Sequence, residues 1–193
     1  MTLHGRGFAQ AFMRRALAHG CTHLVIEVTS ESVLQYRNLF LNLDALIVTN
    51  IQPEHIESHG SFEKYVAAKR SIVETLVRSP KRTRILVANN DVPESHSFLS
   101  VRVSKAIGFS ASELKRLEPD GRGIRFEYNG VPFSLSIPGR FNAMNALAAI
   151  KTAESFGVPL ETSSQALSAL ASISGRVERI EAGQNFTAIV DYA

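Results

Sequence analysis

The chain has one cysteine, Cys21, and no tryptophan among 193 residues. A single thiol excludes an internal disulfide and a zinc cluster built from thiolates, and it fits a reducing cytoplasm. No apolar run approaches the roughly eighteen residues of a membrane span. The opening stretch MTLHGRGFAQAFMRRALAHG has no apolar core of the signal-peptide kind and turns amphipathic and basic instead. No charge of one sign dominates, since 21 Lys+Arg against 18 Asp+Glu leave +3. The densest cations, Arg14–Arg15 and Lys81–Arg82–Thr83–Arg84, read as solvated faces and loops, because nucleic-acid binders gather theirs into one patch. A mild cationic excess does suit a nucleotide or polyphosphate substrate. What remains is an ordinary globular composition, long enough for one large domain or a domain with an appendage.

The pattern along the chain alternates. Residues 7–19 read as a helix with Phe8, Ala11, Phe12, Ala16 and Leu17 on one face and Gly20 as its stop. THLVIEV (22–28), DALIVTNI (44–51) and RILVANND (84–91) are near-continuous apolar runs of the kind buried on both faces of a parallel sheet. Strand–helix–strand alternation predicts an α/β fold, a mostly parallel sheet flanked by helices. The texture changes at GRGIRFEYNGVPFSLSIPG (121–139), where alternation around Tyr-Asn-Gly-Val predicts a small antiparallel ribbon. FNAMNALAAIKTAESFG and LETSSQALSALASI read as helices. GRVERIEAG and NFTAIVDYA read as two strands joined near Gly183–Gln184.

One lysine stands out. From Ser61, the predicted N-cap, the residues Phe62, Tyr65, Val66, Ile72, Val73 and Leu76 recur at helical spacing, and Lys69 falls inside their stripe. A lysine there either snorkels at the edge of a core or is a desolvated amine, more often neutral and therefore nucleophilic. A neutral amine can add carbon dioxide and become a carbamate, an anionic oxygen ligand for a hard metal such as magnesium. Ligands of open α/β sheets bind beyond the carboxyl ends of strands. Glu27 is inside or at the end of THLVIEV, Asn50 at the end of the next run, and His55 in the loop after it. Taken singly, Glu27 is most simply a solvated glutamate and His55 a histidine that binds nothing. On adjacent elements beside Lys69 they make a candidate magnesium site.

EVTSESVLQYR, TNIQPEHIESHGSFEKYVAAK, IPGRFNAMNALAAI and GRVERI…VDYA, in this order, resemble the Mur ligases. These are ATP-dependent amide-forming enzymes of peptidoglycan precursor synthesis, and the branch resembled is the one that adds the third residue of the stem peptide. Folylpolyglutamate synthetases, which carry a glycine-rich motif at the Glu27 position, are the second resemblance. The Mur resemblance implies magnesium ligands at Glu27, His55 and a carbamylated Lys69. It implies UDP-N-acetylmuramoyl-peptide contacts at Thr2, Ser30, Gln35 and Arg37. It implies ATP contacts at Asn142 and Asn145 (adenine), Arg176 (phosphates) and Asp191 (ribose). ATP and Mg2+ are the cofactors it implies, an amino acid the second substrate, and the cytoplasm the location.

Two motifs depart from the family pattern. Its S-S-H is Thr29-Ser30-Glu31 here, and its D-H-L-D is Glu54-His55-Ile56-Glu57. The family's G-x-x-G-K-T phosphate cradle is absent from these 193 residues. The expectation is therefore a central-domain fragment over 1–183, with 184–193 beginning a C-terminal ligase domain or the linker into it. The alternative is a non-catalytic scaffold or nucleotide-binding module.

Overall fold

The computed structural model describes residues 7–52, 56–120 and 123–192. Helix α1 (Phe8–Ala18) ends as predicted, with Gly20 in the left-handed region at φ 76°. Its buried side is a different one. Ala9 packs with Leu41, Met13, Ile26, Val28 and Leu43, while Leu17 is 75% exposed. Next comes α2 (Ser30–Leu34), capped by Thr29, whose hydroxyl accepts from the Ser32 N–H at 3.2 Å. Strand β1 (Ala45–Val48), α3 (Ile56–His59) and α4 (Phe62–Val77) follow.

Helix α4 forms for the reasons its sequence gives. The Ser61 hydroxyl accepts from Lys64 N–H, and Tyr65, Ala68, Ile72, Val73 and Leu76 are buried. The cap is worth about 1 kcal/mol. Each large buried side chain contributes about 1.5–3 kcal/mol, so packing outweighs capping in fixing this helix. Val33 of α2 packs on Ala68 and Ile72, with Val28 and Leu46 beside them.

Strand β2 (Ile85–Asn89) is buried at all five residues. Helix α5 (Pro93–Leu99) begins with proline, whose missing N–H is no loss in a first turn. Strand β3 (Lys105–Phe109) completes a parallel three-stranded sheet in the order β1-β2-β3. The run 22–28, expected as a buried strand, is none. It makes only a single bridge at Glu27, and Val25 is 87% exposed. Its apolar composition suits a two-sided burial, but a parallel strand also needs a ladder partner, and among the described residues 22–28 has no such ladder.

The described residues fall into two compact units. One takes the residues up to Leu86 and Val92–Ala106, and the other takes Val87–Asp91 and everything from Ile107. The second unit adds a strand that was not predicted, β4 (Lys115–Asp120), to the predicted ribbon of β5 (Gly123–Tyr128) and β6 (Val131–Leu135), all antiparallel. The β5–β6 turn is Asn129-Gly130, with φ 49° and 80°, the two left-handed residues of a tight hairpin. Phe126 faces Phe133 across the pair with ring centroids 5.2 Å apart. Helix α6 (Arg140–Ser155) buries Ala143, Ala146, Leu147 and Ile150, and α7 (Leu160–Ser168) packs on it and on β6. Short β7 (Glu178–Ile180) and β8 (Ala188–Val190) pair antiparallel, as predicted around Gly183–Gln184.

Candidate functional site

In the first unit three of the expected substrate residues, Ser30, Gln35 and Arg37, lie in or just after α2. Ser30 is the first residue of that helix and is buried. Its Oγ lies 2.9 Å from His59 Nε2 at the end of α3. A second bond ties the same two helices, from Ser58 Oγ to Glu31 Oε1 at 3.0 Å. Glu31, which stands where the resembled motif has histidine, therefore serves as an acceptor for α3. Gln35 closes α2 and is exposed. Tyr36 is left-handed at φ 57°, and half-buried Arg37 turns back with its N–H on the Ser32 carbonyl at 2.9 Å. Beside α2 and α4 lies a hollow of about 370 Å³, lined by Val33, Leu34, Tyr36, His59, Ala68 and Ser71 among others.

Lys69 lies within the buried arc of α4 and is half-buried. Its Nζ is 5.4 Å from the centroid of the Tyr65 ring, one turn earlier. The ring face attracts a cation, so this contact favours the ammonium over the free amine. Glu27 is exposed. Thr2 and His55 lie outside the described residues, and so does any geometry for them. Among the described residues no group of three or more His, Cys, Asp or Glu is placed to hold a metal. The donor chemistry is nonetheless apt: Glu27 is a hard oxygen ligand, and Lys69 becomes one as a carbamate, though not as an amine.

The expected nucleotide residues belong to the second unit. Asn142, on the first turn of α6, is buried, and its Nδ2 donates to the Pro138 carbonyl at 2.7 Å. Asn145, three residues on, is exposed. The turn before β7 is unusual. Gly175 has φ 70° and Val177 has φ 48°, a left-handed conformation that a β-branched residue rarely takes. Side chains and backbone fasten it. Gly175 N–H donates to Glu178 Oε2 at 2.8 Å, Val177 N–H to Asp191 Oδ1 at 3.3 Å, and Arg176 Nη1 to the Tyr192 carbonyl at 2.8 Å. Arg176 and Asp191 are thus brought together by one knot of bonds. Arg176 also lines a hollow of about 440 Å³ with Ser134, Ser136, Pro138 and Arg179 among its walls.

Sequence reasoning missed His59. The available signal was its place in the stretch EHIESHG, four residues after His55, but a lone histidine carries little weight without its partner.

Residues 8–153 match the Mur ligase middle domain family. Among similar proteins, the UDP-N-acetylmuramyl-tripeptide synthetase of Roseiflexus sp. (strain RS-1) is 34% identical over 95% of this chain and 40% of its own length. The UDP-N-acetylmuramoyl-L-alanyl-D-glutamate–2,6-diaminopimelate ligase of Parabacteroides distasonis is 34% identical over 100% of this chain and 39% of its own. The chain therefore spans about two fifths of the length of these relatives. A solved UDP-N-acetylmuramoyl-L-alanyl-D-glutamate–2,6-diaminopimelate ligase superposes with a TM-score of 0.76 over 96% of this chain and 40% of that one, at 20% identity. At that identity the superposition speaks for the fold.

Proposed function

The chain belongs to the Mur ligase family through its middle domain, and we propose that it supplies the muramyl-peptide and nucleotide contacts of an ATP-dependent amino-acid ligase. In this reading ATP phosphorylates the terminal carboxylate of a UDP-N-acetylmuramoyl-peptide to an acyl phosphate, releasing ADP. The amine of an amino acid attacks that carbonyl, phosphate leaves, and an amide forms. The observation that carries the reading is the match over 8–153, which spans Ser30, Lys69 and both α6 asparagines.

The roles follow the residues. Ser30, Gln35 and Arg37 hold the muramyl nucleotide, together with Thr2. Asn142 spends one N–H on Pro138, which leaves its carbonyl oxygen and a second N–H for adenine. Asn145 stands one turn further along the same helix. Arg176, a forked cation, suits polyphosphate, and Asp191 serves the ribose while bracing the Arg176 turn. Glu27, His55 and a carbamylated Lys69 are the residues that would hold magnesium. When bound, the metal supplies charge neutralisation for the transferring phosphoryl group. Lys69 reaches the carbamate by adding carbon dioxide at Nζ and releasing one proton. Cytoplasmic location suits a soluble nucleotide substrate, and no helix among the described residues is long and apolar enough to cross a membrane. The division at 183/184 remains part of this proposal.

A second reading is a module that binds nucleotide without turning it over, and ATP binding with no turnover would favour it.

The test is calorimetric titration of UDP-N-acetylmuramoyl-L-alanyl-D-glutamate into the protein. Saturable binding, weakened by Ser30→Ala, supports the ligase reading. Absence of binding by the folded protein contradicts it.

A further inference from the structure

Ser30 and His59 form a hydrogen-bonded pair 29 residues apart in sequence, both more than nine-tenths buried. Either atom could donate across the 2.9 Å between Oγ and Nε2. The other ring nitrogen decides. Nδ1 is buried and has no hydrogen-bond partner among the described residues. A neutral imidazole carries one proton, on one nitrogen or the other. A proton on Nδ1 would leave a buried N–H donor unmet, a penalty of the order that buried polar groups rarely bear, whereas an under-used acceptor is commoner. The proton therefore belongs on Nε2, and His59 donates to Ser30.

The serine is thereby committed in how it uses its own proton. A hydroxyl offers one O–H and two lone pairs. With one lone pair taken by His59, the Ser30 proton is left to be given to another oxygen. The imidazole is in turn held in place: its ring meets Tyr65 edge-on with centroids 5.4 Å apart, and the Ser58–Glu31 bond pins α3 to α2 beside it.

We propose that His59 is a positioning residue for substrate: its Nε2–H fixes the Ser30 hydroxyl as a donor to an anionic or carbonyl oxygen of the muramyl nucleotide. This rests on the preceding reading for the identity of that ligand. In this role His59 acts through its bond to Ser30. Without it the hydroxyl is free to rotate among its staggered positions and must be ordered on binding.

Two measurements on the whole protein test this. The first is 15N NMR of the His59 ring, which reads the tautomer with no variant needed. A proton on Nε2 is expected, and a proton on Nδ1 overturns the proposal. The second is a pair of dissociation constants, for UDP-N-acetylmuramoyl-L-alanyl-D-glutamate and for ATP. His59→Phe keeps a ring against Tyr65 and removes the donor. It is expected to weaken the muramyl nucleotide about tenfold, the loss of one hydrogen bond, and to leave ATP unchanged. His59→Gln, which can donate from its amide, is expected to recover to within about threefold of wild type. The double variant Ser30→Ala/His59→Phe should bind no worse than Ser30→Ala alone, since the two residues act as one unit. Wild-type affinity in His59→Phe, equal losses for both ligands, or additive losses overturn the inference while leaving the ligase reading intact. If folded wild-type protein binds ATP and not the muramyl nucleotide, the ligase reading falls and takes this inference with it.

Discussion

Lys69 Nζ sits 5.4 Å over the ring of Tyr65, one turn earlier on α4. The contact pulls against the proposed modification, because the ring favours the ammonium and carbon dioxide adds only to the free amine. Replacing Tyr65 by Leu keeps apolar bulk and removes the ring. Carbamate occupancy at fixed bicarbonate, read by 13C NMR with labelled bicarbonate, should then rise. Tyr65→Phe should leave it near wild type, and Lys69→Ala should abolish the signal. An occupancy unaffected by Tyr65→Leu would show that the ring does not restrain the amine.

Asn142 and Asn145 allow the proposed ligand role to be separated from a structural one on a single helix. Asn142 is buried and bonded to Pro138, whereas Asn145 is exposed. Asn142→Ala should cost about 1 kcal/mol of stability through that lost bond, along with ATP affinity. Asn145→Ala should change stability by less than about 0.5 kcal/mol and still weaken ATP. Urea unfolding and ATP titration on both variants check this. Unchanged ATP affinity in Asn145→Ala would remove it from the site.

The turn carrying Arg176 gives a third test. At Gly175 the backbone is left-handed, and an added Cβ would stand 2.0 Å from the Tyr192 ring. Gly175→Ala should cost about 1–2 kcal/mol from the backbone alone. It should also displace Tyr192, whose carbonyl holds Arg176, and so weaken ATP several-fold. Gly130→Ala is the control. It is left-handed too, with open space around the new methyl, so it should lose stability and spare ATP affinity.

Tyr128 sets an alkaline limit on stability. Burial, then the nearby Glu154 carboxylate that accepts its hydroxyl at 3.2 Å, pushes its pKa up to about 12. In the unfolded chain the group titrates near 10. The folded state thus keeps a proton that the unfolded state has lost, so this contribution is full below pH 10 and fades as pH rises towards 12. Absorbance titration of the tyrosines should show one late phase that Tyr128→Phe removes. The same variant should flatten the loss of stability between pH 10 and 12.

The elements with long, regular periods were legible from sequence. Helix α4 with its Ser61 cap, α6, buried β2 and the Asn129-Gly130 hairpin all follow from local pattern and turn chemistry. Strand β4 was not legible: it holds Pro119 and charged residues, is mostly exposed, and carries an irregularity between Lys115 and Glu118. Its existence depends on pairing with β5, which no local window contains. The run 22–28 failed in the opposite direction, since apolar content cannot say whether a partner strand is present. At the candidate site, Ser30 was singled out by the family resemblance and Lys69 by its place in the apolar stripe. His59 was not, because its bond is to a residue 29 positions away, which no local window contains.

The most direct test of the account is ligation by the whole gene product that carries this chain. It would be incubated with UDP-N-acetylmuramoyl-L-alanyl-D-glutamate, ATP, magnesium and a panel of amino acids, with the nucleotide product read by mass spectrometry. The account predicts a mass increase of one amino acid less one water, matched by ADP, and lost in Lys69→Ala. ATP binding and muramyl-nucleotide binding with no ligated product under any amino acid would contradict it, and would leave the non-catalytic module as the reading that stands.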